Sequence, residues 1–110
     1  MSYILEHADL EIDPNRVSEF DEAIVRGVET IISKSKGFRG YSVQHSIERP
    51  ARYILLIYWD SVEDHMIGFR ESTAFANWRG LVGPFFTRPP VVEHMTLVGK
   101  SDKYTQQSCL

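Results

Sequence analysis

The 110-residue chain predicts an α+β subunit of order β-α-β-β-α-β, an antiparallel sheet with helices on one face. Three observations carry this. Apolar residues recur at spacings of three and four over residues 17–32, but alternate or run together over residues 3–12, 38–48, 53–59 and 91–98. Helix start and stop signals separate these stretches. Finally, residues 53–59 are apolar on both parities, so a single helical layer leaves one face of that strand in need of a partner.

Residues 3–12 place Ile4, Ala8, Leu10 and Ile12 on one parity and Tyr3, Leu5 and His7 on the other, which reads as a strand. Asp13-Pro14 follows, an N-cap acceptor and then a proline at the first helical position, where its missing N–H is not needed. Val17, Phe20, Ile24, Val28, Ile31 and Ile32 make one apolar stripe opposite Glu19, Glu22, Arg26 and Glu29, so this helix covers a sheet. Lys34 and Lys36 suit the negative end of the helix dipole, and Gly37 can adopt the left-handed conformation that closes it.

Over residues 38–48, Tyr41, Val43, His45 and Ile47 alternate with Gly40, Ser42, Gln44 and Ser46, and Arg49-Pro50-Ala51-Arg52 turns the chain into the doubly apolar third strand. Ser61, three residues before Asp64, has capping-box spacing with Asp in place of the longer Glu or Gln, and Ser72-Thr73 is a second start. The prediction is a short helix ending near Arg70, a break, and another helix over residues 73–81, limited by Pro84. Phe85, Phe86, Pro89 and Pro90 form an apolar loop, and residues 91–98 a last strand carrying Glu93 and His94. Residues 1–99 thus make one domain of ferredoxin-like order, and residues 100–110 a polar C-terminal tail.

A chain this short buries roughly two-thirds of the surface it exposes when unfolded, so pairing through the uncovered sheet face is expected, and the predicted assembly is a homodimer. The net charge of −3 is spread without long runs of one sign, which argues against nucleic acid or an anionic membrane as a partner. A lone Cys109 rules out an intramolecular disulfide framework and fits a reducing, cytoplasmic setting. No apolar run approaches the roughly 18 residues of a membrane span, and the N-terminal residues lack a signal-peptide pattern. There is no Gly-rich dinucleotide fingerprint, P-loop, HExxH pair or cysteine cluster, so neither a metal nor a flavin or nicotinamide cofactor is expected.

Several segments together carry a family likeness from about residue 3 to residue 98. They are Gly37-Phe38, Glu48-Arg49-Pro50-Ala51-Arg52-Tyr53, Trp59-Asp60-Ser61-Val62-Glu63-Asp64-His65, Gly68-Phe69-Arg70-Glu71-Ser72, Phe75 with Trp78, and Pro90-Val91-Val92-Glu93-His94. In this order and spacing the chain resembles the antibiotic biosynthesis monooxygenase-like domain. The resemblance implies a dimeric α+β barrel in which two ferredoxin-like sheets face each other, with a pocket in each subunit between sheet and helices. It also implies a choice of activities: cofactor-independent monooxygenation of a small aromatic, quinol or polycyclic phenolic substrate, haem degradation, or isomerisation of a small sugar-derived signal. In haem-degrading members a tryptophan of the second helical region precedes, by about three turns, the histidine that ligates the iron. Phe69 and Arg79 stand at those places here, so the resemblance does not extend to that reaction.

Cofactor-free oxygenation asks for a base, a polar contact for a phenolate or enolate, and a dry apolar cage. His65 and His94 are the candidate bases: His65 shares a helix side with Met66 and Phe69, and His94 shares a strand face with Val92 and Thr96. Both have a plain alternative as buried histidines bonded within the core. His7 and His45 read as surface or interface residues. Trp59, Phe69 and Trp78 are candidate pocket walls, with Phe85 and Phe86 beside them, although aromatic residues at such positions are more often core. Arg79 is a candidate anion contact, Arg70 a similar one, and both are otherwise solvated helix charges. A non-catalytic dimer that binds a small ligand or serves as an accessory subunit, and an isomerase on the same scaffold, remain as alternatives to the monooxygenase.

Overall fold

Four strands, β1 (Ile4–Glu11), β2 (Phe38–His45), β3 (Arg52–Trp59) and β4 (Val91–Met95), form an antiparallel sheet of order β2-β3-β1-β4 in a computed structural model that describes residues 3–102. The period of two along each strand decides what faces the helices. In the central pair Glu6, Ala8 and Leu10 of β1 lie opposite Ile57, Leu55 and Tyr53 of β3, and on the other side of β1 Glu6 and Ala8 lie opposite His94 and Val92 of β4. In the central strands this parity is buried under the helices, and the whole makes an α+β, ferredoxin-like domain, as the pattern predicts.

Helix α1 (Val17–Thr30) presents the buried residues Phe20, Ala23, Ile24, Gly27 and Val28 to the sheet. Its entry differs in detail from the prediction: Pro14–Arg16 is a 3-10 turn, with the Asp13 side chain accepting from the Asn15 N–H at 2.9 Å. Its end comes earlier than the expected stop at Gly37. Thr30 Oγ1 donates to the Arg26 carbonyl and Ser33 Oγ to the Glu29 carbonyl, both at 2.7 Å, and the chain tightens into a 3-10 turn over Ile32–Lys34. Gly37 does take a positive φ, 87°, and its carbonyl accepts from the Asp60 N–H at 2.8 Å, tying the start of β2 to the end of β3.

Ser61 makes one half of the expected capping box, its hydroxyl accepting from the Asp64 N–H at 3.1 Å, while the Asp64 side chain makes no return bond to the Ser61 N–H. The segment it opens, Asp64–Phe69, is a π-helical turn closed by the Arg70 N–H on the His65 carbonyl at 2.9 Å, five residues back. Helix α2 (Thr73–Val82) follows, and Ser72, expected to cap it, instead donates its hydroxyl to the Phe69 carbonyl at 2.6 Å. Gly27 lets α1 and α2 approach closely, since a Cβ there would meet Trp78 Cζ3 at 2.7 Å. The last strand ends at Met95, short of the expected residue 98: β4 is an edge strand whose one partner, β1, begins at Ile4, and Leu5 already pairs with Met95.

The core between the layers is aromatic at both ends. Phe20 packs edge-on against Tyr53 (4.7 Å) and Phe85 (5.4 Å), while Trp59, Phe38 and Phe69 cluster at the other. Opposite the helices, the sheet carries Leu5, Ile54, Leu56 and Tyr58, half-buried, with Val91 and Met95 exposed. This face is uncovered in the single chain. No helix among the described residues is long and apolar enough to cross a membrane. Of the expected polar tail only residues 100–102 are described, and Cys109 lies outside the described residues.

Candidate active site

Between the sheet and the helices lies a cavity of about 250 Å3. The sheet contributes Ala8, Leu10, Leu55 and Val92, the helical side Phe69, Phe75 and Trp78, and the connection to β4 contributes Phe86, Pro89 and Pro90. These walls are apolar and partly aromatic. The polar groups in them are Glu6, His65, Arg70 and Arg79.

Glu6 arrives by strand alternation: it occupies an inward position of β1, only 6% exposed, where its neighbours on the same parity are apolar. His65 arrives from the π-helical turn, which buries both it and Phe69, and is 2% exposed. Trp59, at the end of β3, donates its indole N–H to Glu6 Oε1 at 2.9 Å, and His65 Nε2 lies 3.3 Å from the same oxygen. The Trp59 and His65 rings stack at 5.3 Å and 18°. On its far side His65 Nδ1 shares a hydrogen bond with His94 Nε2 at 2.8 Å. That bond needs one protonated and one bare nitrogen, so the two imidazoles cannot both be fully protonated while it persists.

Burial disfavours charge on both inner groups. It pushes the Glu6 carboxyl up to about 7, against the opposing pull of the Trp59 N–H and the Arg70 charge. It brings His65 down to about 4, with the charges of His94 and Arg70 acting in the same direction. The Glu6–His65 contact therefore has the distance of an ion pair but not its charges: the imidazole is neutral at neutral pH, and the carboxyl is poised between its two forms. A carboxylic acid, a neutral imidazole and a half-buried second imidazole in line form a path by which a proton taken from the cavity can leave toward the surface.

Of the residues singled out from the sequence, His65, Phe69, Arg70, Trp78 and Arg79 line the cavity. His94 stands behind His65 and is not in the wall. Trp59 is also set back, fully buried, and holds Glu6 and His65 in place. Phe86 is in the wall, whereas Phe85 is packed under Phe20. His7 faces the uncovered side of the sheet, and the exposed His45 stacks on Tyr53 and bonds the Pro50 carbonyl at 2.7 Å. The residue missed by sequence reasoning is Glu6. Its signal was present: a carboxylate on the parity of Ile4, Ala8, Leu10 and Ile12 points a charged group into the core.

The comparisons agree with this architecture. The family model for antibiotic biosynthesis monooxygenase matches residues 3–81. The chain is 37% identical over 91 residues to the uncharacterized protein YczJ of Bacillus subtilis (strain 168), covering 83% of this chain and 95% of that protein. A crystal structure of an antibiotic biosynthesis monooxygenase-type protein from Bordetella bronchiseptica superposes with a TM-score of 0.84 at 35% identity, covering 89% of this chain and 99% of that one. The monooxygenase from the ActVA-Orf6 gene of Streptomyces coelicolor, solved with nanaomycin D, shares the fold with a TM-score of 0.76 at 19% identity, covering 91% of each chain. With the family match spanning residues 3–81 and the fold superposing on a 35% identical structure over 89% of the chain, the chain belongs to the antibiotic biosynthesis monooxygenase family.

Proposed function

We propose that the protein is a cofactor-independent monooxygenase of a small aromatic, quinol or polycyclic phenolic substrate, working as a cytoplasmic homodimer. The observation that carries this reading is the apolar cavity closed at one side by the Glu6–His65 pair, with His94 behind it. An acceptor poised near neutrality is the one best matched to take a proton from a phenol or an enolisable ring ketone, so Glu6 is the base, and His65, with one ring nitrogen at Glu6 and the other at His94, is the group that passes the proton on to His94. His94 is thereby a positioning and relay residue rather than a contact to substrate.

The remaining chemistry belongs to the substrate anion. An electron-rich carbanion reduces O2 itself, one C–O bond forms, and the peroxide so made loses water. A ring CH2 becomes C=O, one oxygen atom enters the product, the other leaves as water, and the four electrons come from the substrate. The protein supplies deprotonation, orientation between Phe69, Phe75 and Trp78, and exclusion of bulk water. The homodimer is proposed on the apolar outer face of the sheet, where a second copy would cover Leu5, Ile54, Leu56 and Tyr58.

Oxygen uptake with a panel of anthrones and quinols tests the reading. Wild-type protein is expected to consume O2 with at least one of them, and Glu6→Gln and His65→Ala to lose about 10²–10⁴ in rate. No uptake, or equal rates in all three proteins, would remove the catalytic reading and leave a small-ligand-binding or accessory dimer.

A further inference from the structure

Arg70 and Arg79 enter the cavity wall from successive helical segments, and neither has a carboxylate partner among the described residues. Both guanidinium groups flank one ring: Arg70 Cζ lies 5.0 Å and Arg79 Cζ 6.0 Å from the centroid of Phe75, itself a cavity residue. By contrast Arg39, Arg52 and Arg88 are all paired with acids, Arg52 and Arg88 sharing Asp9. Both side chains are exposed, so solvent carries their charge without an acid partner; what singles them out is that they converge on one ring at the cavity wall. The one carboxyl among the described lining residues, Glu6, is buried and forms an ion pair with neither arginine, although the Arg70 charge acts on it.

We propose that the cavity takes an aromatic carboxylate, its carboxylate held by Arg70 and Arg79 and its ring seated among Phe69, Phe75 and Trp78. This rests on the reading of the cavity as the ligand site and narrows its substrate class. Arginine suits the task because its planar fork donates two parallel hydrogen bonds to a carboxylate. Such a ligand also acts on the acid–base groups. Arg70 draws both Glu6 and His65 toward their deprotonated forms, and a bound carboxylate offsets that charge, making both better proton acceptors once substrate is seated.

The test is calorimetric titration of the full chain with 2-naphthoate and with its neutral isostere 2-naphthamide, so that binding is read without turnover. The expected result is a preference of about tenfold for the naphthoate at low salt, shrinking as salt is raised. In the Arg70→Gln, Arg79→Gln double variant, with its fold checked by circular dichroism, the naphthoate should weaken to the level of the amide. Equal affinity for the two ligands in the wild type, a preference that survives in the double variant, or no binding of either would overturn the proposal. A charge preference without oxygen uptake on any substrate would instead leave it standing while the monooxygenase reading fails.

Discussion

His65 Nε2 lies 3.3 Å from Glu6 Oε1, and burial moves the two groups in opposite directions, the carboxyl up to about 7 and the imidazole down to about 4. A raised carboxyl adds stability that is full below its unfolded value near 4.5 and is lost as pH rises through 7. A lowered imidazole works the other way: its contribution is full above the unfolded value near 6.5 and is lost as pH falls through 4. From pH 4.5 to 6.5 the folded pair holds one proton on Glu6 and the unfolded chain holds one on His65, so the two slopes cancel. Glu6→Gln should therefore make stability rise with pH across this window, and His65→Gln should make it fall, each by on the order of 1 kcal/mol per pH unit relative to wild type. Urea unfolding at several pH values measures this, and variants that track the wild type in parallel would contradict it.

The placement of the two histidines separates their kinetic roles. His65 is in the cavity wall and His94 is not, so with an active substrate His94→Ala should cost less than His65→Ala, on the order of tenfold to a hundredfold in kcat. It should also change the pH profile while leaving KM nearly unaltered. A larger loss in His94→Ala, or a rise confined to KM, would show that the order of the chain Glu6, His65, His94 has been misassigned.

Gly27→Ala tests how the helices shape the cavity. The new methyl would press on Trp78 Cζ3 and Cε3, at 2.7 and 2.8 Å, and a ring wedged between two helices yields only if α2 shifts. A loss of about 1–3 kcal/mol is expected, with weaker binding of any cavity ligand because Trp78 is part of its wall. Thermal unfolding and a binding titration on the same sample check both. A variant of unchanged stability and affinity would mean that α1 and α2 are not tightly coupled.

The proposed homodimer has its own test. Sedimentation at micromolar concentration should give a dimer for the wild type and a monomer for Leu56→Glu, which places a charge in the middle of the outer sheet face, on the side of β3 away from the cavity. A monomeric wild type would exclude this assembly at that concentration. An unaffected dimer in the variant would move the interface elsewhere.

Secondary structure was largely readable along the chain because its signals are local. Asp13, Ser61, Gly37 and the strand alternations act within a few residues, and the predicted element order is the observed one. The departures have equally local causes. The hydroxyls of Thr30 and Ser33 bond the carbonyls four residues back where α1 gives way to a tighter turn, and β4 stops where β1 provides no further partner. The π-helical form of Asp64–Phe69 has no comparable signal, since the same capping spacing opens an α-helix.

The candidate site was legible only in part. Residue pattern alone places His65, Phe69, Trp78 and Arg79 on the helical side, and the parity of β1 turns Glu6 inward for any reader who follows it through the charged position. Whether a buried group lines a cavity or stands one layer behind it depends on packing. Trp59 meets Glu6 across 53 residues of chain and His65 meets His94 across 29, and no periodicity encodes such separations. Packing also sets the protonation of the site, because a carboxyl and an imidazole acquire shifted pKa values from the water that the surrounding side chains remove, a quantity that exists only once the layers have closed.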